Sequence, residues 1–236
     1  MLLDSFKLFF QQKMELLAEG GNIFPGRRIL KQEVLPTLKK IEEITGLNVI
    51  NNTLGSTGKK ESSGDIDIVV DSKQHSKQDL IDILLSNGVS SPDIKKSGIQ
   101  VHYKAPIYDQ QGNQTKDFIQ TDFMFHEDPV YLKFFYDNNE PENSPYKGSF
   151  RNITLSSIAS SKELTLSMNG LMEKATKKII TRDPNIIAKR VLGEDASIED
   201  LFNLESVMSY LKSHYKQEEV KQMVAAAEQT LQISLI

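Results

Sequence analysis

The sequence contains no cysteine. This absence excludes disulfide bonds, metal sites built from thiolates and catalysis by a cysteine nucleophile. It also fits a protein of a reducing compartment such as the cytosol, where disulfides are rare. Metal chemistry in this chain would therefore have to use other ligands.

Long apolar segments are absent as well. The first 17 residues contain apolar clusters, but Asp4, Lys7, Lys13 and Glu15 interrupt them. The segment therefore lacks the uncharged centre of a signal peptide, and no apolar run reaches the length of a transmembrane helix. We expect a soluble, cytoplasmic protein without a membrane partner.

The chain also lacks an excess of positive charge, since its formal net charge is -4. No overall positive field indicates nucleic-acid binding. A local basic run could still follow an acceptor nucleic acid, although such runs are more often the solvated faces of helices. The run comprises Lys174, Lys177, Lys178, Arg182, Lys189 and Arg190.

The spacing of apolar residues predicts a mixed arrangement of helices and strands in the first part of the chain. The predicted elements are helices over residues 2–18, 29–45 and 76–87 and strands over residues 47–54 and 65–71. Two later runs, residues 98–107 and 117–126, flank the turn-like segment DQQGNQ and predict an antiparallel hairpin.

After residue 150 the signals are helical. One helix is predicted over residues 153–180 and the last over residues 216–231, with cap signals at Asp183-Pro184 and at residues 197–200 between them. The predicted fold class is therefore α+β. Residues 1–149 would form a small mixed β-sheet core with helices, and residues 150–236 an all-helical C-terminal domain.

The chemistry is concentrated in residues 54–71, LGSTGKKESSGDIDIVVD. Asp65 and Asp67 stand two positions apart in the predicted strand, so their side chains point to the same face. Two carboxylates so close repel each other unless a cation neutralises them, and Mg²⁺ or Mn²⁺ suits such oxygen ligands. The alternative for this pair alone is a solvated strand face.

Two further features make the metal interpretation more specific. Asp122 lies among apolar residues in the second strand of the predicted hairpin, where an unpaired aspartate is costly to bury. Gly55 and Ser56 follow the predicted strand 47–54, where main-chain N–H groups and a hydroxyl could bind phosphate oxygens. Phosphate loop, paired aspartates and a third aspartate together predict a nucleotide site with bound metal.

These residues resemble the DNA polymerase β-type nucleotidyltransferase superfamily. The resemblance rests on LGS at residues 54–56, GDIDIVV at 64–70 and QTDFM at 120–124. With the stretches KGSFRN and RDPNIIAKRVLG, the resemblance extends over residues 20–210. More narrowly, the chain is similar to predicted nucleotidyltransferases of tailed bacteriophages. Only eight residues separate Ser56 from Asp65, which is short for the superfamily and requires a tight loop.

The resemblance implies a nucleotidyltransferase core that binds two Mg²⁺ or Mn²⁺ ions. Asp65 and Asp67 would bind both ions and Asp122 one, while Gly55 and Ser56 would contact the phosphates of a nucleoside triphosphate such as ATP. The acceptor hydroxyl would belong to an RNA or tRNA 3′ end, on the basis of the basic run. A phage-encoded enzyme would act in the host cytoplasm.

Other side chains are weaker candidates. Lys59 beside the loop, and Lys147 and Arg151 at the start of the helical part, could bind the nucleotide; solvated or ion-paired lysines and arginines are the alternative. His126 shares a strand face with Asp122 but is typical of a strand-end histidine. The remaining histidines, His75, His102 and His214, have no metal-ligand spacing.

Two alternative functions stay open. The chain could be a catalytically silent nucleotidyltransferase-like module that binds nucleotide, nucleic acid or a partner protein. It could also transfer a nucleotide to a small molecule or to a protein, which predicts no salt-sensitive binding of RNA or DNA. The sequence does not indicate the oligomeric state.

Overall fold

The computed structural model describes residues 23–24, 26–137, 139–141 and 144–236. The helix predicted over residues 2–18 lies outside them. The chain forms two compact units. The first unit contains the described residues up to Thr53 and Thr57–Phe125, and the second contains Leu54–Ser56 and His126–Ile236. The chain thus passes to the second unit directly after residue 125, earlier than the boundary predicted at residue 149.

The first unit has a four-stranded sheet with helices packed on one face. The elements are β1 (Ile29–Leu30), α1 (Lys31–Thr45), β2 (Ser62–Ser63), β3 (Ile66–Asp71), α2 (Lys77–Ser86), β4 (Ile94–Ser97), β5 (Gln100–Tyr108) and β6 (Gln114–His126). The sheet order is β3-β6-β5-β4, and β1 and β2 form a separate short ladder. The predicted hairpin is confirmed as the antiparallel pair of β5 and β6.

Local sequence explains helices α1 and α2 of the first unit. Val34, Leu38 and Ile41 of α1 are buried at helical spacing, and Gly46 ends the helix with a φ of 68°. The N-cap of α2 is Ser76, whose hydroxyl accepts a hydrogen bond from the main-chain N–H of Asp79 at 3.1 Å. The helices predicted over residues 29–45 and 76–87 are therefore confirmed within two residues of their bounds.

Alternation along the strands separates the two faces of the sheet. Ile66, Ile68 and Val70 of β3 join Ile119 and Phe123 of β6 in the core with α1 and α2. Residues one position before or after these point to the opposite face. Because that face carries Asp67 and Asp122, the pleat of the sheet gathers the polar residues on the side away from the helices.

The prediction of a strand over residues 47–54 is wrong. The structure has a 3₁₀ turn at Ile50–Asn52 and only an isolated bridge between Thr53 and Ile68. Asparagine side chains explain the difference, since Asn51 donates to Asn48 Oδ1 and Asn52 donates to the Asn48 carbonyl, at 2.9 and 2.8 Å. Such local bonds compete with a strand ladder.

The described residues of the second unit form five helices and a small sheet. The elements are α3 (Pro129–Tyr136), α4 (Gly148–Ser161), β7 (Leu164–Ser167), β8 (Gly170–Glu173), β9 (Ile179–Thr181), α5 (Pro184–Val191), α6 (Leu204–His214) and α7 (Gln217–Leu231). The strands form an antiparallel sheet in the order β7-β8-β9. Helix α7 and the N-cap of α5 at Asp183 agree with their predictions.

The prediction of an all-helical C-terminal domain is therefore wrong, as is the helix over residues 153–180. Helix α4 ends at Ser161, and the alternating sequence LTLS then forms β7. Ser167 pairs with Gly170 across a two-residue turn, and Gly170 has a φ of 124°. A Cβ atom at Gly170 would lie 2.9 Å from the carbonyl oxygen of Thr181, so this hairpin requires glycine.

The fold is thus of the α+β class, with strands in both units. Within the described ranges, the helices are all too short or too polar to cross a lipid bilayer.

Candidate functional site

Two of the predicted acidic residues come from the start of β3. Asp65 directly precedes the strand, and Asp67 is its second residue, between the buried Ile66 and Ile68. The main-chain N–H of Asp67 lies 3.4 Å from the Thr57 hydroxyl oxygen. The first residues after the glycine-rich loop therefore place both carboxylates beside the edge of the core.

The third acidic residue, Asp122, lies on β6, the neighbour of β3 in the sheet. It pairs across the strands with His102 of β5 and is only 7% exposed. A charged side chain so deeply buried is costly unless it is paired or bound to a cation. The strand order thus brings Asp122 next to the strand that carries Asp67.

The three carboxylates interact electrostatically. Burial, reinforced by the charges of Asp65 and Asp122, raises the pKa of Asp67 to about 8. Burial and the Asp122 charge also raise the pKa of Asp65. Among the described residues no hydrogen bond to the Asp67 carboxyl offsets this repulsion. A divalent cation would do so, and the oxygen-only donors fit Mg²⁺ or Mn²⁺.

The arrangement is not a closed metal cage. Among the residues that the structure describes, no three His, Asp or Glu side chains are gathered as a group that could hold a metal ion. The orientation of Asp122 contributes, since its Oδ1 lies 2.8 Å from His102 Nδ1 and its Oδ2 accepts from Gln120 Nε2 at 3.1 Å. Because each carboxylate oxygen can accept about two hydrogen bonds or ligand contacts, a lone pair on each remains for a cation.

Sequence reasoning did not identify His102, which is 4% exposed and lies between two partners. Its Nδ1 faces Asp122, and its Nε2 lies 2.7 Å from the Ser97 hydroxyl oxygen. The signal that could have found it is the hairpin register, because cross-strand neighbours face each other in a sheet. The spacing of possible metal ligands along the chain does not indicate that His102 faces Asp122.

Arg28 is a second residue that the sequence did not indicate. Its positive charge lowers the pKa of Asp65, against the larger effects of burial and of Asp122. Ser62 anchors the guanidinium, since Arg28 donates to the Ser62 hydroxyl at 2.9 Å and to the Ser62 carbonyl at 2.8 Å. The charge of Asp65 is therefore partly balanced by an anchored arginine in the same unit.

The predicted nucleotide-binding residues are not gathered in one unit. Lys59 belongs to the first unit with the three aspartates, whereas Gly55, Ser56, Lys147 and Arg151 belong to the second. Gly55 has a φ of 63°, which suits a tight loop. The binding roles of these five residues stay predictions.

Arg151 is buried and is bonded to main-chain carbonyl oxygens. It is 2% exposed and donates to the carbonyl oxygens of Phe134 and Phe135 at 2.9 and 2.7 Å, which satisfies the last turn of α3. Burial lowers the pKa of its guanidinium to about 10. These bonds to carbonyl oxygens leave less of the guanidinium for an anion than the sequence pattern suggested.

The remaining candidates lie elsewhere in the second unit. His126 bonds locally with the main chain of Asp128, as expected of a strand-end histidine. The first three residues of the basic run lie between β8 and β9, Arg182 follows β9, and only the last two lie in α5. Arg182 forms an ion pair with Glu127 at 2.5 Å. The basic run is therefore not a single helical face.

Comparison of the chain with protein-family models and with curated proteins gave no match. The assignment of function consequently depends on the residues and their geometry.

Proposed function

We propose that the protein is a metal-dependent nucleotidyltransferase that transfers a nucleoside monophosphate from a nucleoside triphosphate to an acceptor hydroxyl. The observation that supports the proposal is the burial of Asp67 close to two other carboxylates, because burial, reinforced by the charges of Asp65 and Asp122, raises the pKa of Asp67 to about 8. A fold that keeps three carboxylates together gives up stability, and this cost is offset when divalent cations bind.

In this proposal Asp65 and Asp67 hold two Mg²⁺ or Mn²⁺ ions and Asp122 holds one of them. The bound ions would neutralise the triphosphate and lower the pKa of the acceptor hydroxyl. The acceptor oxygen then forms a bond to the α-phosphorus while the bond from the α-phosphorus to the bridging oxygen breaks and pyrophosphate leaves. Asp122 would assist in removing the proton of the hydroxyl.

Cation binding also has a structural requirement. Because no three acidic or histidine side chains in the described ranges are already gathered, the carboxyl groups of Asp65 and Asp67 must turn towards the ion beside Asp122. The repulsion between these carboxylates favours the movement, since a shared cation replaces charge repulsion with attraction to the cation. The proposed acceptor is an RNA or tRNA 3′ end.

The test is incubation of the purified protein with each α-³²P-labelled nucleoside triphosphate, Mg²⁺ or Mn²⁺, and total RNA, DNA or cell lysate. We expect label in the nucleic-acid fraction and its loss in Asp65→Asn and Asp67→Asn. Asp82→Asn is the matched control, because Asp82 is an exposed carboxylate on α2 of the same unit. Label in a protein or small-molecule fraction would assign a different acceptor to the same reaction.

One observation favours a second candidate, a catalytically silent module that binds nucleotide or nucleic acid. Both oxygens of Asp122 already have hydrogen-bond partners, His102 and Gln120, and the described residues contain no gathered metal-binding group. Release of pyrophosphate separates the two candidates. A silent module would be stabilised by nucleoside triphosphates but would release no pyrophosphate.

A further inference from the structure

Three neighbouring strands of the first unit align a serine, a histidine and an aspartate. Ser97 ends β4, His102 lies in β5 and Asp122 in β6. The Ser97 hydroxyl oxygen is 2.7 Å from His102 Nε2, and His102 Nδ1 is 2.8 Å from Asp122 Oδ1. The serine is exposed, whereas the histidine and the aspartate are buried. A hydrogen-bonded chain of this kind constrains the orientation of each of its members.

The direction of each hydrogen bond follows from the chemistry of the groups. An ionised carboxylate only accepts, so His102 Nδ1 carries the hydrogen and donates to Asp122. In the neutral imidazole Nε2 then accepts, and the Ser97 hydroxyl is its donor. The second partner of His102 thus holds the ring in the tautomer that donates to Asp122.

The other side of the carboxylate is fixed in a similar way. Gln120 Nε2 donates to Asp122 Oδ2 at 3.1 Å. The amide oxygen of Gln120 accepts from the main-chain N–H groups of Ile23 and Phe24, at 2.6 and 3.2 Å. Because those N–H groups need an acceptor, the amide cannot flip without losing both bonds. Gln120 therefore presents its donor, and not its acceptor, to Asp122.

We propose that His102 and Gln120 are positioning residues that hold the Asp122 carboxylate in one orientation and direct its free lone pairs towards a bound cation. This inference rests on the proposed function, since it assigns Asp122 a cation to face. Residues that bond to a ligating carboxylate are worth about 10- to 100-fold in metal affinity or activity. His102 is the more informative of the two, because Gln120 also anchors the chain at residues 23 and 24.

A hydrolytic role for the same chain of residues is less well supported. Ser97 pairs with Gln100 in the ladder of β4 and β5. A hydrolase nucleophile typically stands on a strained turn that exposes its oxygen beside main-chain donors. Ser97 in a regular pair lacks that strain, so its contact with His102 is better explained as support for the imidazole.

The experiment measures Mn²⁺ binding by electron paramagnetic resonance, without turnover, and nucleotidyl transfer in parallel. We expect His102→Leu to weaken Mn²⁺ binding about 10- to 100-fold and to raise the Mg²⁺ concentration for half-maximal activity by a similar factor. His102→Asn should restore most of both values, because the asparagine amide can donate from the position of Nδ1. The KM for the nucleoside triphosphate should change less than kcat.

Thr121→Val is the matched control on the same strand. Thr121 is buried next to Asp122 but points to the core face, so its substitution should leave Mn²⁺ affinity unchanged. Thermal unfolding of every variant separates loss of fold from loss of positioning. A His102→Leu variant that folds and binds Mn²⁺ like the wild type would overturn the inference.

The outcomes also separate this inference from the proposed function. A wild-type protein that binds no Mn²⁺ and transfers no nucleotide contradicts both. A wild type that binds and transfers, with His102→Leu and His102→Asn equally impaired, contradicts only the positioning role. Hydrolysis of a p-nitrophenyl ester that is lost in Ser97→Ala would also overturn the inference, because His102 would then serve Ser97 and not a cation.

Discussion

Replacing Asp67 by asparagine should stabilise the protein at high pH more than at low pH. The substitution keeps the shape of the side chain and removes its charge. In the folded protein, burial and the charges of Asp65 and Asp122 raise the pKa of Asp67 to about 8. In the unfolded chain an aspartate has a pKa of about 3.9. The native state therefore binds more protons than the unfolded state between these two values.

The sign follows from this difference in protons. The free energy of unfolding falls as pH rises wherever the native state binds more protons. The contribution of Asp67 is thus fully present below pH ~4 and is lost as pH rises to about 8. About four pKa units at 1.36 kcal/mol each set an upper limit of ~5 kcal/mol. Because Asp65, whose pKa is also raised, shares the repulsion, we expect ~2–4 kcal/mol.

The assay is urea unfolding of the wild type, Asp67→Asn and the control Asp82→Asn at pH 4.5 and pH 8, with a chelator present. The advantage of Asp67→Asn over the wild type should grow by ~2–4 kcal/mol between the two pH values, while Asp82→Asn follows the wild type. Mg²⁺ at pH 8 should stabilise the wild type and not Asp67→Asn. A stability difference that is independent of pH, or that reverses, would refute the reasoning.

Three further predictions concern the packing, and urea unfolding measures each of them. Thr121→Val should stabilise the protein by about 1 kcal/mol, because the buried Thr121 hydroxyl has no hydrogen-bond partner among the described residues; a destabilised variant would contradict this. Gly170→Ala should cost about 2–4 kcal/mol, since the new Cβ would lie 2.9 Å from the Thr181 carbonyl oxygen; an unchanged midpoint would be inconsistent with that geometry. Arg151→Met should cost about 2–4 kcal/mol by leaving the carbonyls at the end of α3 without donors, and a neutral effect would mean that water replaces them.

Periodicity was a reliable guide where one face of an element meets a core. Helices α1 and α2 and the hairpin of β5 and β6 follow directly from their apolar spacing. The failures occur where local polar chemistry decides. Asparagines between residues 48 and 52 replace a predicted strand by a turn. Helix α4 ends at Ser161, and the turn before Gly170 closes a hairpin where the helix was predicted to continue.

The candidate site was predictable only in part. The spacing of Asp65 and Asp67 and the apolar neighbours of Asp122 are visible in the sequence, and the strand order brings their strands together. The partner of Asp122 depends on register. If the register of the Tyr108–Gln114 pair continued along the hairpin, His102 would lie opposite Gln120. An irregularity between Pro106 and Tyr108 shifts the register, so that His102 lies opposite Asp122. A shift of this kind is not encoded in residue spacing.

The most direct test of the central claim is pyrophosphate release by the purified protein in the presence of a nucleoside triphosphate, Mg²⁺ or Mn²⁺, and total RNA. The proposed function predicts release by the wild type and by Asp82→Asn, with loss in Asp65→Asn and Asp67→Asn. Release that persists in both of these variants, or that never exceeds the level without protein for any acceptor, would contradict it.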